Sequence, residues 1–111
     1  MLDLSKLKAL ELPKKEITVE ILGEKQSLEI TAFGDDVSLD ISDIVENNKD
    51  SAETKSRMHL LKNCAGLSED DASCLLKNDG GAASVIIKEI FSLTEDFRKE
   101  REKIREQAEK N

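Results

Sequence analysis

The chain has 111 residues, of which 37% are charged and 38% hydrophobic, and it contains three Phe but neither Trp nor Tyr. This length predicts one domain, and the composition predicts an aliphatic core built from Leu, Ile, Val and Ala. A net charge of −7 argues against a nucleic-acid ligand, since phosphate binding depends on clustered Lys and Arg, and no apolar stretch is long enough to cross a bilayer.

The first predicted element is a short amphipathic helix. Leu4, Leu7 and Leu10 recur at three-residue spacing ahead of Pro13, with Asp3 or Ser5 near the helix start. Because so short a helix is unstable by itself, we expect its leucines to dock on another surface.

A β-hairpin is predicted over "EITVEILGEKQSLEITAF", where apolar and polar residues alternate in two runs joined by a connection at residues 23–27. The alternating apolar positions are Ile17, Val19 and Ile21 in the first run and Leu28 and Ile30 in the second. A lone hairpin is marginally stable in water, so helices of this chain or a second subunit must cover its apolar face.

Two helices are predicted next. The first is capped by Ser38 or Asp40 and ends at the asparagines 47–48. The second runs over residues 51–65, and Gly66 takes the position after it that favours a left-handed backbone.

The remaining residues also predict helices. Ser68 caps one helix, residues 78–81 form a turn, and two further segments follow, one over 82–91 and one that opens at residues 94–96. In the segment over 82–91 we expect the burial of Val85, Ile86, Ile90 and Phe91. The fold class predicted is therefore α+β and predominantly helical: a short N-terminal helix, a β-hairpin and about five helical segments that end in a charged C-terminal helix.

The C-terminal residues differ in charge from the rest of the chain. Residues 98–110 carry six basic and four acidic side chains, which leaves −9 for the remainder, and Ile104 is their only strongly apolar residue. An acidic body favours association with a basic partner. We predict a single compact domain over residues 1–97 and a charged helical tail over 98–111, held by Phe97 and Ile104 and open to fraying.

Catalytic and metal-binding chemistry finds little support in the sequence. The single histidine, His59, and the two cysteines, Cys64 and Cys74, match no zinc-site spacing, and the acidic residues 35–46 lack the register of a calcium loop. We interpret the cysteines as small buried hydrophobes in a reducing cytoplasm. We therefore expect no catalytic residues, no metal, no cofactor and no enzymatic activity, and we expect the protein to act by binding another protein.

The order of these features resembles a known family. The hairpin is followed by "SAETKSRMHLLKNCAGLSEDDASCLLKND" and then by "AASVIIKEIFSLTEDF" ahead of the charged end. This pattern resembles the tail assembly chaperones of long-tailed bacteriophages and prophages. The resemblance implies a protein that coats the tape measure protein in the host cytoplasm, recruits tail tube subunits, self-associates and is absent from the mature virion, with no nucleic-acid or membrane partner.

The resemblance also implies a second product. In this family a longer form often arises when the ribosome slips back one nucleotide near the end of the short reading frame. Glu109, Lys110 and Asn111, if encoded as GAA AAA AAC, contain the slippery heptamer A-AAA-AAC. Our hypothesis is that this chain is the short product and that a programmed frameshift occurs at Lys110–Asn111.

The leucines of the first helix and the Ile and Val residues of the hairpin present more apolar area than one small helical layer obviously covers. The candidate residues for partner binding or self-association are Leu4, Leu7, Leu10, Ile17, Val19, Ile21, Phe97 and Ile104. The alternative is that they pack in the core. Two other functions also remain open: a dimeric secretion-type chaperone, and an antitoxin or anti-activator whose charged C-terminal helix folds on a partner.

Overall fold

The computed structural model describes residues 2–110, and within this range it contains five helices and one two-stranded antiparallel sheet. The predicted fold class, predominantly helical α+β with a β-hairpin, is confirmed. None of the helices within residues 2–110 combines the length and the apolar character that crossing a membrane requires. The elements are α1 (Ser5–Ala9), β1 (Lys14–Ile21), β2 (Glu24–Thr31), α2 (Asp35–Asn47), α3 (Ala52–Cys64), α4 (Glu69–Asn78) and α5 (Gly80–Lys110).

The hairpin turns more tightly than the sequence predicts. β1 and β2 pair with Ile21 opposite Glu24, so the connection is only Leu22 and Gly23. Both residues have positive φ, 49° and 82°, as a two-residue type I′ turn requires. The predicted connection over residues 23–27 is therefore wrong, because Glu24 and the residues after it pair with β1 and belong to β2.

The apolar face of the hairpin is covered within the single chain. α5 lies across it, and α3 and α4 pack against α5 to complete the core. The main buried side chains are Ile17, Val19 and Ile30 of the hairpin, Leu60, Leu61 and Cys64 of α3, Ala72 of α4, and Ala83, Ile86, Ile87 and Ile90 of α5. Ordering the hairpin and packing α5 are thus one event, since neither buries its apolar residues without the other.

α5 is one continuous helix where the sequence predicts a turn and two segments. Gly80 and Gly81 lie in its first turn, and the break from α4 is the single residue Asp79, whose carboxylate accepts the N–H of Ala82 at 3.2 Å. One capping residue is enough to start the new helix, and Thr94 does not start another.

The buried row of α5 matches the prediction at Ile86 and Ile90 but not at Val85 and Phe91. Ile86, Ile90 and Thr94 are buried at spacings of four residues, whereas Val85 and Phe91 are about half exposed. Val85 and Phe91 each lie one residue off the buried row, which places them about 100° round the helix axis. Their predicted burial is therefore wrong, although Phe91 still meets the Phe33 ring edge-on at a centroid distance of 5.4 Å.

Thr94 is the one polar residue among the buried side chains that the structure describes. Its hydroxyl donates to the backbone oxygen of Ile90 at 2.8 Å and accepts the backbone N–H of Phe33 at 3.1 Å. Phe33 is the second residue after β2, which ends at Thr31, so its amide has no partner strand. The Thr94 hydroxyl therefore satisfies a buried donor and joins the end of the hairpin to the middle of α5.

The helix boundaries agree with the sequence at most ends but differ at the start of α2. The predicted caps Ser38 and Asp40 are wrong, since α2 begins at Asp35 with Gly34 as its N-cap. Asp35 and the next aspartate occupy the first turn, where negative charge is favourable near the helix N-terminus. Three other predictions are confirmed: α2 ends at Asn47, Gly66 has a positive φ, and Ser68 caps α4.

Replacement of Thr94 by Val should test the join between hairpin and helix. The variant keeps the side-chain volume but leaves the Phe33 N–H buried without an acceptor, so we expect a loss of about 1–3 kcal/mol in the free energy of unfolding. Thr94→Ser keeps the hydroxyl and should lose no more than about 1 kcal/mol, the value of one buried methyl group. Urea denaturation measures both, and a Thr94→Val protein as stable as the wild type would contradict this role.

Candidate interaction surface

The leucines of α1 remain largely uncovered. α1 is five residues long; its first N–H, that of Ser5, is accepted by the Asp3 carboxylate at 2.9 Å. Leu4 is exposed and Leu7 is 63% exposed, so neither packs in the core of the single chain, and the surface on which we expect them to dock stays a prediction. Only Leu10, just past the helix, is half-buried.

Leu10 lies in a shallow groove of about 250 Å³ at the open end of the hairpin, which we name the base groove. Its apolar lining is Leu10, Pro13, Leu93 and Phe97, and its polar lining is Glu11, Asp96, Glu100 and Arg101. The structure thus brings together Leu10 and Phe97, two of the candidate residues. Leu93 was not among the candidates, although its position one helical turn before Phe97 is a signal that the sequence carries.

The hairpin candidates divide between core and surface. Ile17 and Val19 are buried under α5, which removes them from the candidate surface and assigns them to the core. Ile21 is half-buried and lies at the other end of the hairpin, next to the turn. Because side chains alternate between the two faces of a strand, all three residues lie on the same face of the hairpin. Ile17 and Val19 differ from Ile21 in burial because α5 covers the middle of that face more fully than its end.

Ile104 extends the apolar surface along α5. It is 42% exposed and follows Phe97 by seven residues, two helical turns, so both lie on nearly the same side of the helix. Residues 102–109 are all exposed. Leu10, Phe97 and Ile104 therefore form a discontinuous apolar strip that starts in the base groove and runs outward along the free part of α5.

The start of the tail is held to the body by two arginines. Arg101 lies within 3.3 and 3.5 Å of the two carboxylate oxygens of Asp35 and 5.5 Å from the ring centroid of Phe97. Arg98 donates to the Ser38 hydroxyl at 3.1 Å and lies over the Phe33 ring. α5 has no break at residue 98, and its contacts with the body continue to Arg101.

The rim of the base groove is acidic. Among the described side chains, no cation lies within 4 Å of the carboxylates of Glu11, Asp96 or Glu100, whereas Arg101 is engaged with Asp35. An acidic rim beside an apolar floor favours a ligand that carries both apolar and basic groups. The base groove is therefore suited to a ligand that carries apolar and basic groups.

The side chains that a catalytic or metal site would use lie apart. His59 Nε2 is 3.1 Å from a carboxylate oxygen of Asp40, which links α3 to α2. Burial, with a smaller effect from the charge of Asp36, raises the pKa of the Cys64 thiol to about 11, so Cys64 stays protonated near neutral pH. Cys74 is exposed, so its predicted burial is wrong. Within residues 2–110, no three His, Cys, Asp or Glu side chains come together as a metal site would require.

Comparison with known proteins gives no relative: no protein-family model, no curated protein and no solved structure matches this chain.

Proposed function

We propose that this protein is a non-catalytic tail assembly chaperone of a long-tailed bacteriophage or prophage. It would act in the host cytoplasm, bind the tape measure protein, help to recruit tail tube subunits and self-associate. One observation carries the proposal: the core is closed without Leu4, Leu7 and Ile104, which remain exposed. The order of sequence features that resembles this family supports the same conclusion.

The exposed apolar strip suits a helical client. An amphipathic helix presents apolar residues at intervals of three and four, and a groove with an apolar extension along a neighbouring helix can receive several of them in succession. Leu10 and Phe97 form the groove, and Ile104 lies about 10 Å further along α5, at 1.5 Å per residue. A tape measure protein is long and helical, so it offers many such segments.

The charge of the body supports a chaperone that must stay dispersed while it covers a client. The net negative charge lies outside the tail, where it amounts to −9, and acidic surfaces repel one another and resist non-specific association. The acidic rim of the base groove restricts binding further, to client segments that carry basic residues.

Co-expression with the product of the neighbouring tape measure gene tests this function. The double substitution Leu4→Ser and Leu7→Ser should leave stability within about 1 kcal/mol, because both side chains are exposed, but should lower recovery of the complex about tenfold or more. The matched control is Leu39→Ser, which changes an exposed leucine on α2.

Truncation after Arg101 separates the chaperone from a regulator that acts through its tail. The truncated chain keeps the base groove and the contacts of Arg98 and Arg101 with the body but loses Ile104, so as a chaperone it should bind the client more weakly, by about tenfold or less, without losing it. Failure of the wild type to form the complex, an equal loss in Leu39→Ser, or complete loss on truncation would contradict the proposal.

The frameshift has a separate test in the gene. α5 ends at Lys110, and the proposed junction at Lys110–Asn111 falls partly outside the described residues, since these end at Lys110. We expect the last three codons to read GAA AAA AAC, and we expect mass spectrometry of infected or induced cells to detect a longer product in the −1 frame. A G at the third position of the Glu109 or Lys110 codon would contradict slippage at this site.

A further inference from the structure

The turn of the hairpin combines two unfavourable features in one residue. Leu22 has φ of 49°, in the left-handed region that residues other than Gly, Asn and Asp rarely adopt. Its side chain is also 74% exposed. Neither feature is compensated by packing, and Asn is the residue that a turn of this type usually takes at this position. Strain of this kind is often found at functional sites.

Leu22 stands at the edge of a second groove, about 420 Å³ in volume, which we name the tip groove. One wall is a single face of α4, where Asp71, Cys74, Leu75 and Asn78 follow one another at helical spacing. The other wall is the hairpin tip, with Ile21 and Leu22. A helical ridge beside an apolar edge is the shape that accepts another helix, because ridges of one helix pack into grooves of its neighbour.

The position of Leu22 is fixed before any ligand arrives. One carboxylate oxygen of Asp79 accepts the N–H of Leu22 at 2.9 Å, and the other accepts the N–H of Ala82 at 3.2 Å. The tip is therefore tied to the first turn of α5, which belongs to the core. A preorganised wall lowers the entropy lost on binding.

The acidic side chains around the tip groove favour a partner with positive charge. Among the described side chains that line it, the charged ones are Asp71 and Asp79, and the first turn of α4 adds Glu69 and Asp70. The body of a second copy carries −9 outside residues 98–110 and would meet this rim with like charge. A basic partner would be attracted.

We propose that the tip groove binds a basic amphipathic helix of another protein, with apolar side chains against Leu22 and Leu75 and Lys or Arg beside Asp71. The site lies near the start of α5, whereas the base groove lies near Phe97, about 27 Å away along the helix at 1.5 Å per residue. It is thus a second binding surface, and it does not depend on the client proposed for the first.

The substitution Leu22→Asn tests the site because it separates stability from binding. Asn suits the turn and removes an exposed apolar side chain, so the melting temperature should stay equal or rise by roughly 2–5 °C. The probe is a fluorescein-labelled helical peptide of about 18 residues, with Leu on one face and Lys on the other, compared with the same peptide carrying Glu in place of Lys. Fluorescence anisotropy should give a Kd of roughly 1–100 μM for the Lys peptide and a rise of about tenfold or more in the Leu22→Asn protein.

The control variant is Leu39→Asn, which changes a leucine that is 66% exposed on α2, and it should bind as the wild type does. Cys74 lines the tip groove while Cys64 is buried, so the Lys peptide should slow alkylation of Cys74. The proposal is overturned by unchanged binding in Leu22→Asn, by an equal loss in Leu39→Asn, or by equal binding of the Glu peptide. It is also overturned by a lower melting temperature in Leu22→Asn, which would make Leu22 structural, or by a dimer that this substitution dissociates.

Discussion

The hydroxyl of Thr94 holds together the two halves of this fold. It lies fully buried in the middle of α5, accepts the N–H of Phe33 at the end of the hairpin and donates to the backbone of its own helix. A two-stranded hairpin is marginal in water, and a helix with one apolar face needs a surface to cover it. The buried row of α5 lies across the hairpin, so each element covers the apolar face of the other. The hydrogen bond from the Phe33 N–H to Thr94 fixes the position along α5 at which the hairpin ends.

This constraint explains why the molecule keeps an exposed apolar surface. The hairpin covers α5 only as far as its open end, so the helix continues beyond the core, with Arg98 and Arg101 making its last contacts with the body. The radius of gyration is 16.3 Å, whereas a compact chain of this length would have about 13 Å. The base groove forms where α5 leaves the core, and the tip groove forms where α5 begins. A protein built around one long helix therefore offers binding surfaces at both ends of a small core.

Local patterns predicted the elements, while tertiary contacts decided the details that the sequence could not show. The alternation of Ile17, Val19 and Ile21 identified β1, and the Ser68 cap identified the start of α4, because both signals depend on near neighbours. Thr94 followed by two acidic residues has the pattern of a helix start, and only its burial against Phe33 reveals a different role. Leu22 carries no turn signal, so the two-residue turn was missed. Leu10 and Phe97 were each candidates for the site, but their meeting in one groove depends on the path of the whole chain.

Hydrogen exchange along the chain, measured with and without the client, shows whether α5 closes the core with its first part and leaves its last part free for binding. We expect the amide of Phe33 and those of residues 83–94 to exchange only through global unfolding, since they lie in one cooperative unit. The amides of residues 102–110 should exchange through local opening in the free protein and become protected when the client binds. Fast exchange at Phe33, or protection of residues 102–110 that is high in the free protein and unchanged by the client, would contradict this division of α5.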